Sequence, residues 1–154
     1  MIHQLNRQQI IPAPVDKVWG FFSDPGNLND ITPPDLQFEI LFGGDQPMYQ
    51  GQLMAYKIQL FPLIKTHWLT EITQVEKPFY FADQQHQGPY SFWNHEHFFS
   101  AVDDGVEMRD QVTYQLPFGP LGDLVHRLWV GPRLERIFSY RAQQVKEIFN
   151  PGHG

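Results

Sequence analysis

The sequence contains no cysteine. This absence excludes disulfide bonds and any catalytic or metal-binding chemistry that depends on a thiolate. The N-terminus also lacks the basic stretch and apolar run of a signal peptide, so we expect a cytoplasmic location. No segment approaches the roughly 20 apolar residues that a membrane-spanning helix needs, and we therefore expect no transmembrane segment.

Charged residues are scarce, at 18% of the chain, and the formal net charge is −6. Lysine and arginine form no long run. A protein that binds nucleic acid without regard to its sequence needs clustered basic residues to replace phosphate counterions, so we expect no nucleic-acid partner. The glycines do not follow the pattern of a phosphate-binding loop, and no serine lies in a nucleophile elbow.

Aromatic residues are abundant by comparison, at 15% of the chain. They supply more bulky apolar surface than a small core needs, which favours a cavity with aromatic walls. A chain of 154 residues has the size of one domain. We therefore predict a single domain over residues 1–150, followed by a short tail at 151–154.

Hydrophobic periodicity predicts an α+β fold that begins with one strand and two short helices. The segment HQLNRQQII alternates as a strand does, and the apolar residues from Val15 to Phe22 then recur at helical spacing. Asp24 and Pro25 suit the cap and the first position of a second short helix, which would reach about Ile31.

The rest of the chain predicts a block of strands and then a long helix. About six strands fall between residues 36 and 116, the first of them in DLQFEILFG, and a helical period resumes after Pro117. Gly131-Pro132 should interrupt this period with a kink or a break, because proline removes a helical hydrogen bond. We expect a short helix before this point and a long one after it that ends near Asn150. Consecutive antiparallel strands with one long amphipathic helix predict a curved sheet that this helix covers.

The segment SFWNHEHFF carries two histidines two residues apart, and alternate residues of a strand face the same way. If Asp104 and Gly105 form the turn of a hairpin, His97 lies opposite Val112 and Asp110 is its diagonal neighbour. The predicted inner face of this hairpin carries Trp93, His95, His97, Phe99, Ala101, Met108, Asp110, Val112 and Tyr114.

A carboxylate on an inner face needs a partner, because burial removes its hydration. We expect protonated His97, or Arg141 from the long helix, to be the partner of Asp110. Three uses of this cluster stay open: polar lining of a pocket, an acid–base pair of His97 and Asp110 beside Tyr114, or a metal site of both histidines and the carboxylate. Because His-x-His spacing is common by chance, we expect no metal and no cofactor.

Four segments together resemble the START-related helix-grip superfamily (SRPBCC): IPAPVDKVWGFFSDPGNLNDITP, GPYSFWNHEHFF, RDQVTYQLPFGPLG and IFSYR. That superfamily includes birch-pollen-allergen-like proteins, polyketide cyclases/dehydrases and lipid-transfer domains, and the sequence looks most like its small bacterial ligand-binding branch. The resemblance covers almost the whole chain. It implies about seven antiparallel strands wrapped around a long C-terminal helix, with a hydrophobic cavity between them. It implies no catalytic set, since one fold hosts many functions.

We therefore expect the chain to bind a small hydrophobic molecule, such as a lipid, an isoprenoid, a quinone or a polyketide-like aromatic, in transport or sensing. One alternative is a cyclase/dehydratase-type or hydrolytic enzyme that uses His97, Asp110 and Tyr114. Another is a protein-interaction module with a filled core. The expected ligand-binding residues are Tyr56, Trp68, Trp93, His95, His97, Phe99, Met108, Asp110, Val112, Tyr114, Ile137 and Arg141.

The junction LPFGPLGDLVHRLW is dense in apolar residues for a loop that leads into a helix. Packing against the end of the sheet would explain it. The alternative is a gate over the cavity, or a transient contact with a membrane or a protein. The side chains concerned are Phe118, Leu121, Leu124, Leu128 and Trp129. The sequence leaves the oligomeric state open.

Overall fold

The computed structural model describes residues 1–61 and 63–150, and it confirms the predicted α+β order. Strand β1 (His3–Ile11) leads into helix α1 (Val15–Phe22) and two 3₁₀ helices (Pro25–Ile31 and Pro34–Leu36). The remaining strands are β2 (Glu39–Phe42), β3 (Leu53–Phe61), β4 (Ile64–Glu76), β5 (Tyr80–Gln87), β6 (Phe92–Val102) and β7 (Gly105–Gln115). The predicted tail at 151–154 lies outside the described residues.

The chain ends in a helical run formed by α2 (Gly119–Val125), a π-helical turn (His126–Val130) and α3 (Gly131–Ile148). The run continues through Gly131-Pro132 without the break that the sequence allowed, and the irregularity is instead the π-helical turn that ends at Val130, between a short helix and a long one. A proline at 132 would meet the carbonyl of residue 128 in a regular α-helix, and residue 128 lies inside the wider π turn. Among the helices in the described part of the chain, none is long and apolar enough to cross a bilayer.

The seven strands form one antiparallel sheet in the order β1-β7-β6-β5-β4-β3-β2. From β2 to β7, each strand pairs with the next one along the chain. The last strand, β7, also pairs with β1. Strand β2, which the sequence placed in DLQFEILFG, begins only at Glu39. Pro34–Leu36 forms a 3₁₀ helix, and Gln37 has a left-handed φ of 48°. Strands β3 to β6 supply the sheet side of the candidate site.

The turn between β6 and β7 lies one residue earlier than predicted, and this moves the pairing of the two strands by two residues. Val102 pairs with Gly105, so the turn residues are Asp103 and Asp104. Gly105 has a φ of 137°, and a Cβ at this position would lie 2.1 Å from the carbonyl oxygen of Ile11. Glycine follows the turn for this reason, since a side chain would both strain the backbone and collide with β1.

This shift changes which residues of the hairpin face each other. The predicted pairing of His97 with Val112 is wrong, because His97 lies directly opposite Asp110 and His95 lies opposite Val112. Both histidines and Asp110 nevertheless stay on the predicted inner face. Side chains alternate with a period of two residues, so a two-residue shift preserves every face.

Two apolar clusters fill most of the space beneath the helices. In the first cluster, Trp19 and Phe22 of α1 pack against Phe99 and Met108 of the sheet. In the second, Leu134 and Phe138 of α3 pack with residues that include Trp93, Val112 and Tyr114. The volume between α3, the 3₁₀ helices and strands β3 to β6 is incompletely filled, and this gap defines the candidate site.

Candidate functional site

A cavity of about 190 Å³ lies between the sheet, α3 and the 3₁₀ helices. One buried water needs only about 10–15 Å³, so the cavity has room for a small organic molecule. Its walls are largely apolar, and the aromatic side chains that border it are Phe21, Phe22, Phe38, Tyr56, Trp68, Phe81, Tyr90, Trp93 and Phe138. The aromatic excess in the sequence is thus concentrated around this space.

One side of the cavity approaches solvent. Four residues border the cavity and are only partly buried: Leu28 of the first 3₁₀ helix, Thr32 directly after it, Phe38 before β2, and Ile137 of α3. On the opposite side, His95 and His97 of β6 are 5% and 3% exposed. A molecule that enters from the helices would therefore meet an apolar passage first and the two histidines last.

The structure divides the residues that were predicted to bind a ligand into two groups. Those that border the cavity are Tyr56, Trp68, Trp93, His95, His97, Ile137 and Arg141. The residues Phe99, Met108, Asp110, Val112 and Tyr114 are buried elsewhere on the inner face. Helix α1 covers part of that face, and the ring of Trp19 lies 5.7 Å from that of Phe99, which leaves no room for a ligand there. Asp110 differs from the others, because it lies directly behind the cavity wall.

Asp110 is the centre of a buried polar cluster. His95 donates from Nε2 to Asp110 Oδ1 over 2.8 Å, and the Arg141 guanidinium lies 3.9 Å from the same oxygen. Burial acts to raise the pKa of Asp110, but the Arg141 charge and the His95 hydrogen bond outweigh it and hold the pKa well below its ordinary value. Asp110 is therefore an ionised carboxylate inside the protein.

The pKa of His95 is also lowered, but for an imidazole a lower pKa favours the uncharged form. Burial is the main cause that lowers the pKa of His95, and the neighbouring His97 acts in the same direction. The two imidazole rings stack with 3.7 Å between their centroids. His95 is therefore neutral near pH 7, with its proton on Nε2 toward Asp110 and its Nδ1 atom unprotonated.

Asp83 of β5 is a member of this cluster that the sequence analysis missed. His97 Nε2 lies within hydrogen-bond distance of Asp83 Oδ2, at 3.1 Å, and the Asp83 side chain keeps 20% of its exposure. Asp83 borders the cavity and pairs with His95 across the sheet. The alternation of Phe81 and Asp83 in FADQ placed both on one face, but the Gly88-Pro89 turn signal between β5 and β6 does not fix how these two strands align.

His97 thus lies between two carboxylates. Its Nδ1 atom is 3.3 Å from Asp110 Oδ1, yet the direction is unsuited to a hydrogen bond, and this nitrogen has no hydrogen-bond partner among the described residues. Phe81 stacks on the His97 ring with 3.8 Å between centroids and holds it in place. Asp83, His95 and His97 each offer a ligand atom, and these atoms lie within 4.8 Å of one another, so this trio could hold a metal. The predicted trio contained Asp110 in place of Asp83.

Tyr114 belongs to a different polar group. Its hydroxyl lies 2.6 Å from Nε2 of His126, and the His126 ring stacks on that of His3 with 3.5 Å between centroids. Burial is the main cause that raises the pKa of Tyr114 to about 12. The predicted position of Tyr114 beside the acid–base pair is therefore not the one that the structure shows.

The apolar junction before α3 remains exposed. Phe118 and Leu128 are 81% and 69% exposed, and Leu121, Leu124 and Trp129 are also exposed. Packing against the end of the sheet therefore does not account for these side chains. A contact with a membrane or a protein through them stays a prediction.

No protein-family model matches this chain, and no curated protein matches it. Solved structures do. The Zhui aromatase/cyclase from Streptomyces sp. R1128 matches with a TM-score of 0.74 and 16% identity over 100% of both chains. Ara h 8.0201 matches with a TM-score of 0.64 and 19% identity, over 94% of this chain and 98% of its own.

A point mutant of norcoclaurine synthase from Thalictrum flavum, in complex with a transition-state analogue, matches with a TM-score of 0.64 and 14% identity over 96% of each chain. At these identities the similarity shows the fold alone. The chain has the helix-grip fold, as the resemblance in the sequence implied.

Proposed function

We propose that this helix-grip chain binds a small hydrophobic molecule in the cavity between the long C-terminal helix and the sheet. The observation that carries the proposal is an incompletely filled space of about 190 Å³ with mostly apolar walls. Well-packed proteins leave few voids larger than one water, so an apolar space of this size in a core is typical of a ligand pocket. A lipid, an isoprenoid, a quinone and a polyketide-like aromatic all fit this chemistry.

The polar groups on the cavity wall would orient that ligand. Asp83 presents a carboxylate that is partly exposed, and the Arg141 side chain also borders the space. Burial raises the pKa of the Tyr56 hydroxyl, which therefore stays protonated and can donate a hydrogen bond. We infer a ligand with an apolar body and at least one hydroxyl or carbonyl group at its inner end, because these three side chains offer one acceptor and two donors.

A cavity-filling variant tests the proposal. Ile58→Trp places a large side chain on the lining of the cavity, whereas Gln59→Trp adds the same side chain to the opposite face of β3. We expect Ile58→Trp to weaken the binding of a hydrophobic fluorescent probe at least tenfold and Gln59→Trp to leave it unchanged. Equal affinities in both variants and in the parent protein would place the probe outside the cavity and refute the proposal.

Native mass spectrometry of gently purified protein identifies the natural ligand. We expect an additional mass of a few hundred daltons that organic extraction removes, which is the size range of a molecule that a pocket of this kind encloses. Trp68 and Trp93 border the cavity, so refilling it with the extracted compound should change the tryptophan fluorescence.

An acid–base enzyme is the second candidate, and the Asp83–His97 contact favours it. The 3.1 Å pair lies at the cavity wall, where a bound molecule can reach it, and the carboxylate would orient the imidazole as a proton carrier. The acid–base pair would thus be His97 with Asp83, in place of Asp110. A His97→Gln variant that binds the extracted compound but no longer converts it would support the enzyme, and an unchanged rate of conversion would refute it.

The third alternative, an interaction module with a filled core, is the one that an incompletely filled cavity favours least.

A further inference from the structure

We propose that Asp83, His95 and His97 form a binding site for one divalent transition-metal ion at the inner end of the cavity. The three side chains come from two neighbouring strands, and their ligand atoms lie within 4.8 Å of one another. Two imidazole nitrogens and one carboxylate oxygen suit Zn²⁺, Fe²⁺, Co²⁺ or Mn²⁺ better than Mg²⁺ or Ca²⁺, which prefer sites built of oxygen.

The ligand atoms are close to the separations that one ion needs, although the two rings must also rotate. Ligand atoms bound at about 2.1 Å from one ion lie at most about 4.2 Å apart. Separations of up to 4.8 Å therefore close with side-chain shifts of less than about 1 Å. The imidazole rings must also leave their stack, which has an interplanar angle of 29°, so that both lone pairs point at one position. Metal binding should therefore change the environment of both rings.

Asp110 supports the site from behind. It accepts a hydrogen bond from His95 Nε2, which leaves Nδ1 of that ring as the ligand. A metal on Nε2 of His97 would place the ring proton on Nδ1, 3.3 Å from Asp110 Oδ1, where this nitrogen otherwise lacks a partner among the described residues. One carboxylate would thus hold both rings in the tautomers that a metal needs, as carboxylates behind ligating histidines commonly do.

The charges in the cluster also favour a cation. Asp83 and Asp110 carry two negative charges, and Arg141 supplies one positive charge close to them. The remaining negative charge lies in a largely buried region, where an unpaired charge is costly. A divalent ion between Asp83 and the histidines offsets it.

The open side of the site faces the cavity. Three protein ligands leave at least one coordination position free, as in metal sites that bind small molecules. The Asp83, His95 and His97 side chains all border the cavity, so a polar group of a bound molecule or a water can occupy that position. The inference goes beyond the proposed function and does not depend on it, because metal binding is measured without any hydrophobic ligand.

The test is a titration of metal-stripped protein with Co²⁺ and Zn²⁺, followed by calorimetry and by the visible absorption of Co²⁺. We expect one equivalent to bind. Asp83→Asn, which keeps the shape of a partly exposed side chain, should weaken binding at least tenfold. Asp110→Asn should weaken it by about 10- to 100-fold with the stoichiometry unchanged. Circular dichroism and thermal unfolding of each variant establish that it is folded.

Two controls use the other histidines of the chain. His86→Ala removes an exposed histidine whose Nε2 lies 2.8 Å from a Glu71 carboxylate oxygen, and His126→Gln changes the histidine bound to Tyr114. Both variants should bind Co²⁺ as the parent does. The proposal is overturned if Asp83→Asn binds as tightly as the parent, or if either control abolishes binding. It is also overturned if the stripped protein binds neither Co²⁺ nor Zn²⁺.

Discussion

His97 lies directly opposite Asp110 in the sheet, yet its hydrogen bond is with Asp83, on the strand at its other side. The ring therefore bridges three strands, with one carboxylate at each of its nitrogens. Asp110 is the more deeply buried of the two carboxylates and is shared with His95 and Arg141, whereas Asp83 borders the cavity. The two acids therefore lie in different environments, Asp110 behind the cavity wall and Asp83 at its surface.

Asp110→Asn should destabilise the protein strongly. The substitution removes a buried negative charge and leaves the Arg141 guanidinium, 13% exposed, without its nearby carboxylate. Breaking a buried ion pair from one side costs about 3–5 kcal/mol, and urea unfolding at pH 7 measures the loss. Asp35→Asn is the control, because Asp35 and Arg136 form an exposed ion pair at 2.8 Å that should contribute less than about 1 kcal/mol. Equal losses in the two variants would contradict the importance of burial.

The hydroxyl of Tyr114 should matter for stability and not for ligand binding. Tyr114→Phe removes the 2.6 Å hydrogen bond to His126 and should cost about 1 kcal/mol of unfolding free energy. The affinity for a hydrophobic probe should not change, because this hydroxyl is directed to His126 and away from the cavity lining. Tyr56→Phe, at the cavity wall, is the comparison. If Tyr114→Phe loses probe binding and keeps its stability, the result would support the ligand-binding role that the sequence predicted for Tyr114.

His126 should make the stability of the protein depend on pH. Burial, and then the charge of His3, lower its pKa in the folded state below the ordinary value of 6.5, and Asp123 opposes them. The unfolded chain therefore binds a proton more readily, and the contribution of His126 is fully present above pH 6.5 and is lost as the pH falls through the lower folded-state value. The other polar group in contact with this ring is Tyr114. The unfolding free energy should fall less between pH 7.5 and pH 5 in His126→Gln than in the parent protein. His86→Gln is the control and should behave as the parent does. Parallel curves for all three proteins would show that His126 does not cause the pH dependence.

Gly105→Ala should destabilise the hairpin that positions the histidines. The backbone there has a φ of 137°, and the new methyl group would meet the carbonyl oxygen of Ile11. Strain of this kind costs about 1–3 kcal/mol, and the collision adds to it. Gly20→Ala is the matched control, because a Cβ there meets no atom within 4 Å in the described part of the chain and α1 favours alanine by about 0.5–1 kcal/mol. Thermal unfolding should thus shift in opposite directions, and a stabilised Gly105→Ala variant would contradict the turn geometry.

The sequence by itself determined which side chains of the hairpin point inward. Alternation has a period of two, and the misplaced turn moved the partner strand by two residues, so His95, His97 and Asp110 kept their predicted face. It also determined the order of the elements and about where the final helical run begins and ends, since hydrophobic periodicity is a local property of the chain. These local properties, with the aromatic abundance, were enough to indicate a sheet with a helix over it and a bulky-walled space between them.

Only the tertiary structure decided which inward side chains meet. Asp83 lies twelve or more residues from both histidines, and its approach depends on how β5 aligns with β6, which the Gly88-Pro89 turn between them does not fix. Likewise, Phe99 and His97 share one face, but α1 covers the first and leaves the second beside the cavity. Helix docking and strand register are set by contacts between distant segments, which the pattern within any one segment does not contain.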